Sequence, residues 1–336
     1  MDEILVVGGA GYIGSHMCKY LHENGMRPVV LDNLSQGHRR AVQWGPLYEG
    51  DMDDPDLLRQ IADRHEIRAA MHFAAFCYVG ESVREPLKYY RNNIGATLGL
   101  LSLLQERGID KFIFSSSCAT YGEPETLPIP EDHPQRPINP YGRTKLMMET
   151  ILDDLDAAHG FRSICLRYFN AAGADPDGAI GEAHDPETHL IPLVLRAALG
   201  QGEALTIFGN DYPTADGTCI RDYIHVTDLA QAHFLALRQL LDGGGSARYN
   251  LGNGSGYSNL QVIETAERIA GVEIPYAFAP RRPGDPAALI GSAEKAGREL
   301  GWRSRFATLE SIVETAWNWH RKGEGPGKES HDRASR

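Results

Sequence analysis

Tyr141 and Lys145 stand four residues apart in a segment, Asn139-Pro140-Tyr141-Gly142-Arg143-Thr144-Lys145, that reads as the start of a helix, with asparagine at the cap and proline at the first helical position. That spacing puts both side chains on one helix face. A lysine ammonium beside a tyrosine hydroxyl stabilises the phenolate, and a neighbouring cationic cofactor lowers the phenol pKa further. The pair can therefore act as a base near neutral pH. Spacing alone does not separate it from a solvated helix face, so its context decides. Upstream, the apolar run Phe112-Ile113-Phe114 ends in Ser115-Ser116-Ser117. Hydroxyls at the carboxyl end of a strand can hydrogen-bond both a phenol and a substrate oxygen, which makes Ser117 the third reactive candidate.

A second group of residues points to the cofactor. The first apolar run leads into Gly8-Gly9-Ala10-Gly11-Tyr12-Ile13-Gly14, a GxxGxxG spacing followed by a helical pattern. Such glycines permit a tight turn and the close approach of a pyrophosphate to the positive end of the helix dipole. Asp32 closes the second apolar run, eighteen residues beyond Gly14. A carboxylate there accepts from adenine ribose hydroxyls and repels a 2′-phosphate. With no arginine in Asn33-Leu34-Ser35, NAD is expected rather than NADP. Gly8, Gly11, Tyr12, Ile13, Gly14, Asp32 and Asn33 are the first cofactor-binding candidates. Asp51, Met52, Phe73, Ala74 and Ala75, at the ends of later strands, join them because open α/β sheets bind ligands there.

Short apolar runs at Ile4–Val7, Pro28–Leu31, Ala70–Phe73, Phe112–Ser115 and Ser163–Leu166 read as buried strands. Helix-period segments at Ile13–Glu23, Asp56–His65, Ile94–Arg107 and Gly142–His159 lie among them. This alternation implies right-handed crossovers and a Rossmann-type, doubly wound parallel α/β sheet. Beyond about residue 170 the alternation breaks up, with helices expected at Ile191–Leu199, Val226–Leu241, Leu260–Ile269 and Leu309–Arg321. The expected organisation is an NAD-binding domain over 1–170, to which some later segments return, then a smaller mixed α/β substrate-binding domain over 171–321 and a frayed tail over 322–336.

The 336 residues carry a net charge of -12, which argues against a duplex-coating nucleic-acid binder. The five cysteines have no paired spacing and read as reduced thiols of a cytoplasmic protein. No export signal and no membrane span is expected. The thirteen histidines include no HExxH pair, and no metal site is expected from them.

With the glycine turn, the serine strand end and the Tyr-Lys pair in this order, the chain resembles the extended short-chain dehydrogenase/reductase family, and within it the UDP-glucose (UDP-galactose) 4-epimerases. Further landmarks run nearly the whole length. They include Val79-Gly80-Glu81-Ser82, Asn92-Asn93, Leu166-Arg167-Tyr168-Phe169-Asn170, Ile207-Phe208-Gly209-Asn210-Asp211-Tyr212, Arg221-Asp222-Tyr223-Ile224-His225-Val226 and Ala279-Pro280-Arg281-Arg282-Pro283-Gly284-Asp285. The resemblance implies reversible oxidation of a UDP-hexose at C4 through a 4-keto sugar, with NAD regenerated in each cycle. Tyr141 is then the base on the 4-hydroxyl, Lys145 lowers its pKa and holds the nicotinamide ribose, and Ser117 orders the proton shift. Asn92, Tyr168 and Phe169 fall to the cofactor pocket. Asn170, His189, Leu190, Phe208, Arg221, Arg282 and Asp285 fall to the substrate, the two arginines as donors to its diphosphate. The resemblance also implies a homodimer, for which the apolar stripes of Ile94–Arg107 and Gly142–His159 could build a helical bundle.

Two positions depart from some members of the family. Cys77 stands where some carry lysine, and Leu289 stands where certain members carry a bulky aromatic, leaving room for N-acetylated UDP-hexosamines. Among rival activities, a nucleotide-sugar dehydratase needs a carboxylate pair after Ser117, and the chain has Cys118-Ala119-Thr120 there. A UDP-glucuronate epimerase needs extra basic contacts of which no clear motif is visible. A regulatory NAD sensor has no need of Ser117, Tyr141 and Lys145 together.

Overall fold

The computed structural model describes residues 1–201, 204–282 and 285–323. Pro283, Gly284 and nearly all of the expected 322–336 tail lie outside them. Thirteen strands are described: β1 (Glu3–Val7), β2 (Arg27–Asp32), β3 (Leu47–Glu49), β4 (Ile67–His72), β5 (Lys111–Ser117), β6 (Arg162–Tyr168), β7 (Asn170–Ala172), β8 (Leu205–Phe208), β9 (Ile220–His225), β10 (Ala247–Leu251), β11 (Gly256–Ser258), β12 (Tyr276–Ala279) and β13 (Ala288–Leu289). The helices are α1 (Tyr12–Glu23), α2 (Pro55–Arg64), α3 (Val79–Arg84), α4 (Pro86–Tyr90), α5 (Thr97–Glu106), α6 (Pro140–His159), α7 (Leu190–Ala198), α8 (Val226–Leu241), α9 (Asn259–Ala270), α10 (Glu294–Glu299) and α11 (Leu309–His320).

Seven strands form one parallel sheet in the order β10-β6-β5-β4-β1-β2-β3. The strand order reverses between β1 and β4, which opens a crevice at their carboxyl ends. Side chains alternate across the sheet. Ile4, Val6, Val30, Met71, Ile113 and Ile164 face a layer that includes Met17 and Leu21 of α1 and Leu229 and Leu237 of α8. Leu5, Val7, Val29, Leu31, Phe112 and Cys165 face the opposite layer, with Leu58 of α2, Leu100 and Leu104 of α5, and Met148 and Leu152 of α6. Burying each large side chain contributes about 1.5–3 kcal/mol, so both helical layers are firmly seated.

The remaining strands form smaller sheets. β9 lies between β11 and β13 and also pairs with β7, while β12 pairs with β8. Ile191, Val194 and Leu195 of α7, Val262 and Ile263 of α9 and Ile312 and Val313 of α11 make their core.

The structure corrects three readings of the sequence. Leu47–Glu49 and Ala247–Leu251 are strands of the main sheet; each is too short or too polar to stand out as an apolar run. The helix expected from Ile94 begins as α5 at Thr97, because Arg91–Ala96 winds as a π-helical segment between α4 and α5. The strand expected to include Phe73 ends at His72.

Candidate active site

The cofactor side is built by α1. Gly11 caps this helix without a side-chain hydrogen bond, and no acidic residue stands in its first turn. The first N–H groups are thus available to an anion. At Gly14 a Cβ would fall 2.1 Å from the Gly8 carbonyl oxygen, so only glycine lets the turn close. Asp32, at the end of β2, accepts from Ala10 N at 2.9 Å and Leu34 N at 2.8 Å, which aims its carboxylate at the turn. Burial raises its pKa, with the two backbone N–H groups opposing. Tyr12 donates to the Gly173 carbonyl at 2.6 Å, tying the turn to the segment after β7. Asn33 donates to Asp51 at 2.6 Å, so these two carry each other at the crevice edge. These groups fit the pyrophosphate and ribose of a dinucleotide.

Other cofactor candidates are placed differently. Ile13 packs its side chain on the core beneath α1, leaving only its backbone to a ligand. Met52 is buried with its sulfur 3.3 Å from His72 Nε2. Phe73 stacks beside His233, with ring centroids 5.0 Å apart, and Tyr168 also packs on His233. Ala74 and Ala75 follow Phe73 and are half-buried. Asn92 donates to Asn93 at 2.9 Å. Phe169 packs with Cys118, Tyr121, Ile129 and Leu289.

Ser117, Tyr141 and Lys145 come together where β5 ends. The Asn139 side chain accepts from Gly142 N at 2.8 Å, and Pro140 opens the helix. A Cβ at Gly142 would lie 2.3 Å from the Ala119 carbonyl oxygen. Glycine there lets α6 press against the turn after β5, which sets Tyr141 beside Ser117. Lys145 Nζ donates to the Ser115 carbonyl at 2.7 Å and lies 5.8 Å from the centre of the Tyr141 ring. Burial pulls Lys145 down to about 8. Burial also pushes Tyr141 well above its ordinary range, helped by Cys77 and Tyr168, while a hydrogen bond with Ser117 works the other way. As the groups stand without a cofactor, the lowered pKa in this pair belongs to the lysine. Exposed Cys77 is close enough to influence both groups.

On the facing side, Arg221 of β9 forms an ion pair with Asp285. The sequence reading treated these two as separate contacts. Burial lowers the Arg221 pKa, but Asp285 outweighs it and the net shift is upward. The Arg282 guanidinium lies 4.0 Å from the centre of the Phe208 ring. Asn170 Nδ2 donates to the Asp222 carbonyl at 2.9 Å. His189 caps α7 and Leu190 begins it, but the His189 ring turns to Glu182. Arg221 is also close enough to Cys118, just past the end of β5, to influence its thiol.

A family model described as "NAD dependent epimerase/dehydratase family" matches residues 4–252. The chain belongs to this family. It is 53% identical over 319 residues to the UDP-glucose 4-epimerase of Halalkalibacterium halodurans, covering 95% of this chain and 96% of that one. The crystal structure of UDP-glucose 4-epimerase from Brucella ovis in complex with NAD superposes with a TM-score of 0.92 at 51% identity, covering 95% and 98% of the two chains. The UDP-Glc/GlcNAc 4-epimerase from Campylobacter jejuni superposes with a TM-score of 0.82 at 42% identity, covering 96% and 100%.

Within this family frame, several polar groups near the site escaped the sequence reading. Buried Glu149, one turn beyond Lys145, accepts from Ser116 at 2.5 Å and from Arg167 at 2.9 and 2.6 Å. Arg167 also donates to the Tyr121 hydroxyl at 2.8 Å. A charged residue inside the apolar run of β6 was the available signal. Asn93, rather than Asn92, is the buried member of its pair and bridges Phe76 and Thr144. Asp222 accepts from Asn253 N, Gly254 N and Gly291 N at 2.9, 3.2 and 3.1 Å, which fixes the strand that carries Arg221.

Proposed function

We propose that the chain interconverts UDP-glucose and UDP-galactose by reversible oxidation at the sugar C4, as an NAD-dependent isomerase. The observation that carries this reading is the meeting of Ser117, Tyr141 and Lys145 at the carboxyl end of β5. The glycine turn lies on the same edge of the sheet, at the carboxyl end of β1. Gly8, Gly11, Tyr12, Gly14 and Asp32 hold the cofactor, and Lys145 binds its nicotinamide ribose. NAD supplies a hydride acceptor that is restored within each cycle. Tyr141 takes the proton of the 4-hydroxyl and later returns it. Ser117 hydrogen-bonds the same oxygen and keeps it directed at the phenol. The raised pKa of Tyr141 makes positive charge beside it the condition for action. Arg221 and Arg282 hold the UDP diphosphate while the keto sugar turns, and Asp285 exchanges its arginine partner for the uridine ribose. Asn170, His189, Leu190 and Phe208 line the substrate path.

The cofactor unit is residues 1–170, joined by α8 and β10, and the substrate unit is mainly 171–321. Exposed Val79, Val83 and Leu87 on α3 and α4, Leu98 on α5 and Met147 on α6 support a homodimer. No helix among the described residues is long and apolar enough to cross a membrane. The five free cysteines support placing the enzyme in the cytoplasm.

The test adds UDP-galactose to the purified enzyme and follows both sugar product and cofactor absorbance. UDP-glucose should form with transient reduction of bound cofactor and no net consumption of NAD. Net consumption, or no sugar product, sinks the reading. Leu289, which packs against the Phe169 cluster and is smaller than an aromatic residue, also supports turnover of UDP-N-acetylhexosamines. Undetectable turnover of UDP-N-acetylglucosamine beside brisk turnover of UDP-galactose ends that extension.

A further inference from the structure

Between the glycine turn and α7 lies a side-chain cluster of which the proposed reaction uses His189 alone. We propose that Glu182, His184, Glu187 and His189 form a binding site for one divalent first-row transition-metal ion of the zinc class. Each of the four offers one ligand atom, and these atoms lie within 4.8 Å of one another. His184 Nδ1 is 3.1 Å from Glu182 Oε1 and 3.8 Å from Glu187 Oε1. His189 Nδ1 contacts the same Glu182 oxygen and lies 3.8 Å from the same Glu187 oxygen. Two imidazole nitrogens thus converge on two carboxylates, with the donor atoms in a space suited to a single ion.

An independent observation concerns Glu187. Its side chain is 0% exposed, yet Oε2 has no hydrogen-bond partner, and the Arg196 guanidinium is 3.9 Å away. Its Oε1 accepts from Thr188 N at 2.8 Å and His189 N at 2.9 Å, so the carboxylate is held in place. Leaving a buried carboxylate oxygen without a partner is costly, because it has given up its water and gained nothing in return. Protonated imidazoles would pair with the other oxygens and leave this one orphaned. An ion held by both oxygens of the carboxylate, Oε1 on the side of the two imidazoles and Oε2 beside it, satisfies it.

The donor set selects the metal class. Neutral imidazoles suit zinc, cobalt and related ions, whereas calcium and magnesium prefer all-oxygen shells. The spacing Glu-x-His-x-x-Glu-x-His resembles no helical pair, which is why the histidines stood out to no metal rule in the sequence. The surroundings suggest what the ion does. The His184 ring stands edge-on to Tyr12 with centroids 6.1 Å apart, and Arg196 donates to the His184 carbonyl at 3.3 Å. The ion would join the segment behind the cofactor turn to the start of α7. With Nδ1 on the metal, His189 keeps Nε2–H as a fixed donor. Its use toward the diphosphate rests on the proposed function; the metal site does not.

The test uses the untagged full chain with NAD bound, stripped with a chelator and then titrated with Zn²⁺ or Co²⁺ alone. One ion per chain should remain after gel filtration, and Co²⁺ should give visible absorption bands. His184→Asn with Glu187→Gln should weaken Co²⁺ binding by at least ~100-fold, beyond the loss that removing an outer partner causes. Anomalous scattering from Co²⁺-loaded crystals of the unaltered protein should place the ion among the four side chains, which decides the matter even if the variant fails to fold. Substoichiometric retention, unchanged binding in a folded variant, or an anomalous peak elsewhere overturns the proposal. Sugar turnover is measured separately, so loss of either reading is distinguishable from loss of the other.

Discussion

Two cations are buried beside α6, and the fold treats them in opposite ways. Arg167 has Glu149 across two hydrogen bonds and the Tyr121 hydroxyl on a third. Burial works against its charge, but Glu149 outweighs burial and holds the proton more firmly than usual. Lys145 has one carbonyl oxygen and the face of Phe114, 4.9 Å from its nitrogen. Its charge is left under-compensated, and its pKa falls to about 8. The first arrangement holds architecture. The second keeps a charge ready for groups that arrive with cofactor and substrate.

The largest expected effect falls on the reactive side of this comparison. Tyr141→Phe should lower kcat by about 10³–10⁴-fold with little change in thermal stability, measured by coupled assay and calorimetry. Full turnover in the variant would remove Tyr141 from the mechanism. On the architectural side, Glu149→Ala leaves the Arg167 charge unpaired and should cost about 3–5 kcal/mol in denaturant unfolding. The double change Glu149→Leu with Arg167→Met should recover most of that loss, and if it does not, the pair contributes more than mutual neutralisation. Lys145→Met should be nearly inactive yet no less stable at neutral pH. The sign follows from linkage. Folded Lys145 loses its proton near 8, and an unfolded lysine near about 10.4, so between these values the unfolded chain binds more protons. The stability of the unaltered enzyme relative to the variant should therefore rise across that window, by about 3 kcal/mol at most. A flat difference would place Lys145 outside the contrast. Smallest is Arg248→Gln. Arg248 reaches Glu149 at 3.1 Å from a side chain 33% exposed, so its loss should cost about 1 kcal/mol or less.

Local features of the site were legible in the sequence because their causes are local. The glycine turn, Asp32 at a strand end and the Tyr141–Lys145 spacing each depend on a few neighbouring residues. The pairing of Glu149 with Arg167 depends on how α6 lies on β6, and that of Arg221 with Asp285 on a parallel register between β9 and β13. Neither pairing has a sequence spacing of its own. Apart from the three-residue β3, the sheet was legible as far as β6 from its apolar runs. β10 was not, since Ala247-Arg248-Tyr249-Asn250-Leu251 mixes charged, amide and aromatic residues. Arg248 and Asn250 are accommodated there by Glu149 and Ile129, contacts that only the folded chain supplies.

The position of β10 also gives the fold an order in time. β6 is an edge strand until Ala247–Leu251 arrives, and the chain between them builds β7, β8, β9, α7 and α8. At about 5–20 residues per second, a ribosome takes on the order of ten seconds to deliver that stretch. For that interval the nascent sheet carries an open, pairing-competent margin on β6. The half of the chain made first therefore waits for a strand made much later, and expression conditions that slow synthesis should lengthen the window in which neighbouring chains can pair there.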